Sequence, residues 1–176
     1  MTPPAVTPGA VTPRVWVRPS ARVLVLDPQQ RLLLFGGRGL QPRTDPGEVE
    51  YWFTPGGGVE DGEYLRTAAV RELAEETGLV VPPDALEGPV WLRRWQGQWG
   101  EVLLDSRETF FVLRDVVHEV DVSGRTDTER QLDEPHRWWT LAEIADGGER
   151  FAPAELAGAL PDVLEGPWSG PPRIVD

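Results

Sequence analysis

The chain has no cysteine and no lysine, and one methionine among its 176 residues. Without cysteine there is no disulfide, no zinc–thiolate centre and no thiol nucleophile. Without lysine there is no P-loop lysine, no kinase-type lysine and no Schiff base. All seventeen cationic side chains are arginine, against twenty-nine carboxylates, for a net charge of −12. So acidic a chain is poorly suited to gripping a nucleic-acid backbone, and no duplex partner is expected. Small phosphorylated ligands stay open, because a bound cation can invert the local field. No apolar run is long enough to span a membrane. The opening stretch, MTPPAVTPGAVTPR, lacks the basic and apolar regions of a signal peptide and reads as a loose arm over residues 1–14. The absence of cysteine fits a cytoplasmic protein.

Forty per cent apolar residues and eight tryptophans argue for a globular body. One domain over residues 15–165 accounts for it, followed by a loop-like tail at 166–176. Ala21 to Leu26 and Arg31 to Phe35 are aliphatic runs around a turn at Asp27 to Gln30, which predicts a hairpin. Gly36 to Glu48 reads as a loop and Glu50 to Thr54 as a short aromatic strand. Leu65 to Thr77 is the strongest helix, with Gly78 placed to stop it in a left-handed cap. Pro89 to Gln96 and Val102 to Arg114 read as two strands joined around Gly97 to Gly100. Residues 118–136 read mostly as loop, and 137–140 as a strand. Thr140 and Glu143 form a capping box for a helix over 141–145. A last helix covers 154–165, interrupted or restarted at Pro161. There is no regular βαβ rhythm, so a mixed-sheet α/β fold is expected in preference to a dinucleotide-binding one.

The informative stretch is GGGVEDGEYLRTAAVRELAEETGL, Gly56 to Leu79. At about 100° per residue, Ala69, Val70, Leu73 and Thr77 share a side that can pack on a sheet. Glu72, Glu75 and Glu76 share another, with Ala68 among them. Charge runs are usually plain surface. Here the carboxylates oppose the helix dipole in its last turn, and like charges at i,i+4 repel. A divalent cation would offset both effects, and clustered hard oxygens suit Mg²⁺ or Mn²⁺. Arg71, one turn before Glu75, can steady it.

The same stretch resembles the Nudix box, G-x5-E-x7-R-E-U-x-E-E-x-G-U with U aliphatic. Gly57, Glu63, Arg71, Glu72, Leu73, Glu75, Glu76, Gly78 and Leu79 fill every fixed position. The resemblance implies an α/β/α sandwich with a mixed β-sheet. It implies a metal-dependent hydrolase, using Mg²⁺ or Mn²⁺, that cuts the P–O–P bond of a nucleoside diphosphate linked to another moiety. Glu72, Glu75 and Glu76 would be metal ligands, with a backbone carbonyl of the Gly56–Gly57 turn. Arg71 would orient the glutamates, and Glu63 would tie the box loop to the helix. Gly57 and Gly78 would serve backbone geometry. Dimers are common in this family.

The carboxylate that takes the proton from water stays open. Glu72 or Glu75 could act from within the box. Glu129 and Glu134, in the loop before Trp138, are favoured over them, and Glu108 at a strand start is a further choice. Trp52, Trp91, Trp95 and Trp99 could stack on a base, although strand aromatics are more often core. Arg22, Arg38 and Arg93 could meet phosphate. His118 and His136 lack the partners of a triad. Some Nudix subgroups carry a proline or a tyrosine 15 to 17 residues past the box, for ADP-ribose or for dinucleoside polyphosphates. Arg94, Trp95 and Gln96 stand there instead. A nucleoside triphosphate, ADP-ribose, a nucleotide sugar and a dinucleotide all remain. The competing class is a nucleotide-sensing Nudix module without turnover, which usually has a broken box. An isoprenoid-diphosphate isomerase of this fold typically needs a cysteine that is missing.

Overall fold

The computed structural model describes residues 14–37, 50–99, 101–124 and 135–176. Nine strands and three α-helices occur among them. They are β1 (Arg14–Val25), β2 (Leu32–Gly37), β3 (Tyr51–Phe53), β4 (Gly56–Gly58), α1 (Leu65–Thr77), β5 (Glu87–Trp99), β6 (Val102–Leu113), β7 (His136–Trp139), α2 (Leu141–Ala145), β8 (Phe151–Ala152), α3 (Leu156–Leu164) and β9 (Arg173–Val175). One sheet runs β4-β1-β6-β5-β9 and the other β7-β2-β3-β8. Both are mixed: β1 lies parallel to β6 and antiparallel to β4, while β3 is antiparallel to β2 and parallel to β8.

Period-two alternation on the central strands fixes the layers. Ala21, Val23 and Val25 of β1, with Leu33 of β2, pack under α1 against Ala68, Ala69 and Leu73. Leu24 and Leu26, with Leu32 and Leu34, face the opposite way, onto Ile144 of α2 and Leu156, Leu160 and Val163 of α3. With helices covering both faces, all six residues of β2 are buried, which is why this strand reads as an unbroken apolar run. The result is the α/β/α sandwich expected from the sequence.

Several elements depart from expectation. The turn at Asp27 forms, its carboxylate accepting from the backbone N–H groups of Gln29 and Arg31 at 2.9 and 2.7 Å. The flanking strands, however, do not make a hairpin. They meet only at the bridge Leu26–Leu32 and then enter different sheets. The reason is competition: β6 offers β1 a register of twelve consecutive pairs. Secondly, Ala68, which the sequence places among the glutamates, is fully buried, so the carboxylate edge of α1 itself lies close to the sheet. Thirdly, the tail is not all loop. β9 adds to β5, Val175 joins the core beside Trp91, and Arg114 and Glu87 bind the tail backbone at Gly166 and Trp168. Three residues are too few for a periodic signal, and the partner strand lies some eighty residues earlier in the chain. Deleting residues 171–176 should therefore cost about 1.5–3 kcal/mol for Val175 alone. Urea unfolding would read this as a lower midpoint, and an unchanged midpoint would separate the tail from the folded unit.

Candidate active site

Helix α1 ends as the sequence predicts. Gly78 has φ +72°, and its N–H bonds to the carbonyl of Ala74 at 2.9 Å. A Cβ there would come within 2.9 Å of Asp121. At the other side of the site, Gly56, Gly57 and Gly58 form β4 and pair with Arg22, Ala21 and Ser20. A Cβ on Gly56 would overlap the backbone of Ala21, and one on Gly57 would overlap the Glu72 carboxylate. Only a bare backbone lets the helix carboxylates approach this closely. The Gly56 N–H donates to Glu76 at 2.7 Å.

Arg71 organises the rest. Its guanidinium donates to Glu63 through Nε and Nη2 at 3.0 and 2.9 Å, a two-pronged contact. It also donates to Glu72 at 2.9 Å and to the Gly58 carbonyl at 2.9 Å, with a longer 3.5 Å contact to Glu75. One cation thus joins the start of the box loop, the helix and the glycine strand. Hydrogen bonds from Arg71 and from the Glu60 N–H hold the Glu63 carboxyl below its ordinary 4.5. Glu72 moves the other way: burial raises it, and the charge of Glu75 adds to this against the pull of Arg71.

These residues suit a divalent cation in donor chemistry. Three carboxylates stand on one edge of one rigid helix, against a strand that carries no side chains of its own. Among the described residues, though, no three acidic or histidine side chains converge on a common point. Glu76 is turned to the Gly56 N–H, while Glu72 and Glu75 are turned to Arg71.

Beside the box, between the two sheets, opens a cleft of about 420 Å³. Arg22 and Arg93, both expected to meet phosphate, line it. Between them sits Glu108, only 7% exposed, with one oxygen 3.3 Å from Arg22 and the other 3.0 Å from Arg93. Arg22 also donates to the carbonyls of Thr54 and Gly56, at 3.2 and 2.5 Å. It is therefore bound into the box turn. Glu108 thus has each of its oxygens held by an arginine.

Trp52 does not reach the cleft. It is 8% exposed and packs edge-on against Trp139, with ring centroids 4.9 Å apart. Trp91 is likewise fully buried, on Phe110. Both follow the common fate of strand aromatics. Trp95 lines the cleft. Arg38, Glu129 and Glu134 lie outside the described residues. His118 binds the Thr77 carbonyl at 2.8 Å near the end of α1, a structural role. The cleft also contains Arg18, Phe53 and Arg150, which sequence reading missed. For Arg18 a signal existed: it shares the parity of Arg22 on β1.

The lowered Glu63 value fixes a pH dependence. Its ion pair with Arg71 stabilises the fold fully above pH 4.5, and the contribution is lost as pH falls through the lower folded value. The gap in melting temperature between wild type and Glu63→Gln should be widest near neutrality and close under acid. A gap that grows as pH falls would contradict the assignment.

Comparison with known proteins agrees with this geometry. The NUDIX domain profile matches residues 16–159. An RNA pyrophosphohydrolase of Caulobacter vibrioides is 31% identical over 144 residues, covering 73% of this chain and 75% of that protein. One from Novosphingobium aromaticivorans is 31% identical over 145 residues, covering 73% and 81%. Among solved structures, the E. coli dihydroneopterin triphosphate pyrophosphohydrolase superposes with a TM-score of 0.58 at 17% identity, covering 84% of this chain and 96% of that one. The chain belongs to the Nudix family and is a hydrolase of pyrophosphate bonds in nucleotide derivatives.

Proposed function

We propose that the box glutamates hold Mg²⁺ or Mn²⁺ and that the chain cleaves the anhydride of a nucleoside 5′-polyphosphate, free or at the 5′ end of an RNA. The observation that carries this reading is the meeting of Glu72 and Glu76 with a side-chain-free strand, at the mouth of an arginine-lined cleft. The RNA option rests on the relatives named RNA pyrophosphohydrolases. With a net charge of −12, contact with an RNA would be confined to its terminal nucleotides. The cysteine-free composition suits action in the cytoplasm.

Glu72, Glu75 and Glu76 supply the ligand oxygens, with a carbonyl of the Gly56–Gly57 turn beside them. A divalent cation held there would supply charge neutralisation for the anhydride and activation of the attacking water. Arg71 keeps the glutamates in place through its bonds to Glu63, Glu72 and Gly58. Arg22 orients the Gly56 carbonyl and so acts through the turn, as a positioning residue. A carboxylate must still take the proton of the attacking water. Within the box Glu75 is the most accessible, half exposed and, among the described residues, bound only by the long Arg71 contact. Glu129 and Glu134 are the candidates outside it.

Two outcomes are expected from steady-state assays on nucleoside triphosphates, ADP-ribose, nucleotide sugars, dinucleoside polyphosphates and 5′-triphosphorylated RNA. Glu76→Gln should lose more than the roughly 10- to 100-fold typical of a supporting residue, while keeping its melting temperature. Arg22→Met should raise the metal concentration for half-maximal activity by about 10-fold or more. Full activity of Glu76→Gln in EDTA would sink the metal assignment. No turnover by wild type on the whole panel would favour the sensing module.

A further inference from the structure

Four rows of side chains cross β1, β6 and β5 on the face that looks into the cleft. From core to rim they are Arg22–Phe110–Trp91, Ser20–Glu108–Arg93, Arg18–Ser106–Trp95 and Trp16–Leu104–Gly97. The first is apolar apart from Arg22. In the second, Glu108 binds Arg93. The third row is different, because both its ends are unengaged.

Arg18 is half-buried and has no carboxylate or carbonyl partner among the described residues, unlike Arg22 and Arg93. Its guanidinium stands over the backbone of Gly58, where a Cβ would lie 3.1 Å from Nε. That places a cation with no partner among the described residues where the cleft lining meets the glycine strand of the box. At the other end, the Trp95 indole lies along its own strand over Gly97. A Cβ on Gly97 would come within 2.6 Å of its outer edge. The missing side chain lets the ring lie flat, with one face available to the cleft. Trp95 makes no ring contact with any aromatic residue among those described. Ser106 between them is small and leaves a groove. Two strand spacings separate the two Cα atoms, about 10 Å, which long side chains largely close.

We propose that this row reads the nucleoside 5′-polyphosphate: the base stacks on Trp95, and the phosphates pass over Ser106 to Arg18 before entering the box. The inference rests on the hydrolase reading and names the recognition element of the same site. It selects substrates that carry a base on the polyphosphate. It also separates two roles, because Trp95 acts on the base alone and Arg18 on any polyphosphate.

The test compares ATP, GTP and a 5′-triphosphorylated dinucleotide with methyl triphosphate and inorganic tripolyphosphate, which lack a base. Trp95→Leu should raise KM for the base-bearing substrates roughly tenfold or more, with kcat within about twofold, and leave base-free substrates unchanged. Trp95→Phe should recover most of the loss. Gly97→Val, which keeps the tryptophan but displaces it, should reproduce the Trp95→Leu effect. Arg18→Gln should raise KM for both substrate groups. Comparing the mononucleotides with the dinucleotide distinguishes a free nucleotide from an RNA end. Calorimetry of ATP on Glu76→Gln, with and without Trp95→Leu, separates this inference from the hydrolase reading. Tryptophan-dependent binding without turnover by wild type would overturn the hydrolase reading and leave the row intact. Turnover with KM insensitive to Trp95→Leu, equal losses on base-free substrates, or no nucleotide binding would overturn the row.

Discussion

The site depends on a close approach that almost no other backbone permits. A helix edge carrying three carboxylates lies against an extended strand made of three glycines. Where an ordinary strand would present side chains, β4 presents N–H groups, carbonyls and bare Cα atoms. The Gly56 N–H takes Glu76, and the Glu72 carboxylate occupies the space a Cβ at Gly57 would fill. Ala68, small and fully buried on the same side of α1, permits the same approach one turn earlier. Glu72, Ala68 and the glycine strand thus describe one constraint from its two sides. Enlarging any of them moves the carboxylates off the strand.

Such an arrangement concentrates negative charge, and the chain answers it with arginine throughout. A guanidinium has five donors in a rigid plane, so one residue can hold several acceptors in fixed directions. Arg71 uses this to connect Glu63, Glu72 and Gly58. Arg22 uses it to connect Glu108, Thr54 and Gly56. Lysine, a compact charge on a flexible stem, would balance charge in these places without fixing geometry. The absence of lysine, which first served only to exclude chemistries, therefore agrees with how the two arginines work. It also makes Arg18 conspicuous: among the described residues it has no acceptor, while Arg22 and Arg93 in the same cleft both bind Glu108.

Much of this was legible in the sequence because it is local. The box lies within 23 residues, so its spacing encodes α1, the Gly78 cap and the three glutamates directly. The capping box Thr140–Glu143 forms for the same reason, with both halves within one turn. What escaped was non-local. The Asp27 turn correctly predicted a reversal, but nothing in its neighbourhood indicates that β1 would take β6, eighty-eight residues on, in place of β2. β9 and β8 are short strands defined by partners far away in the chain. Trp52 and Trp95 look alike on paper: each is a tryptophan on a strand near the box. One meets Trp139 and becomes core, and the other meets Gly97 and stays open. Only the assembled sheet distinguishes them.

β1 connects these levels. Its residues of one parity, Ala21, Val23 and Val25, are the floor on which α1 rests, and so set the height of the carboxylates. Those of the other parity, Arg18, Ser20 and Arg22, face the cleft, and Leu24 continues that face into the core. A shift of one residue in the pairing of β1 with β6 would bury arginines beneath α1 and expose its valines. The twelve-pair register therefore does more than stabilise the sheet. It keeps the cation row and the carboxylate edge on their proper sides, and because Arg22 also grips Thr54 and Gly56, it ties both to the glycine strand. The carboxylate edge and the cation row are in this sense placed by the two faces of a single strand, and their relative position is set by sheet pairing rather than by loops.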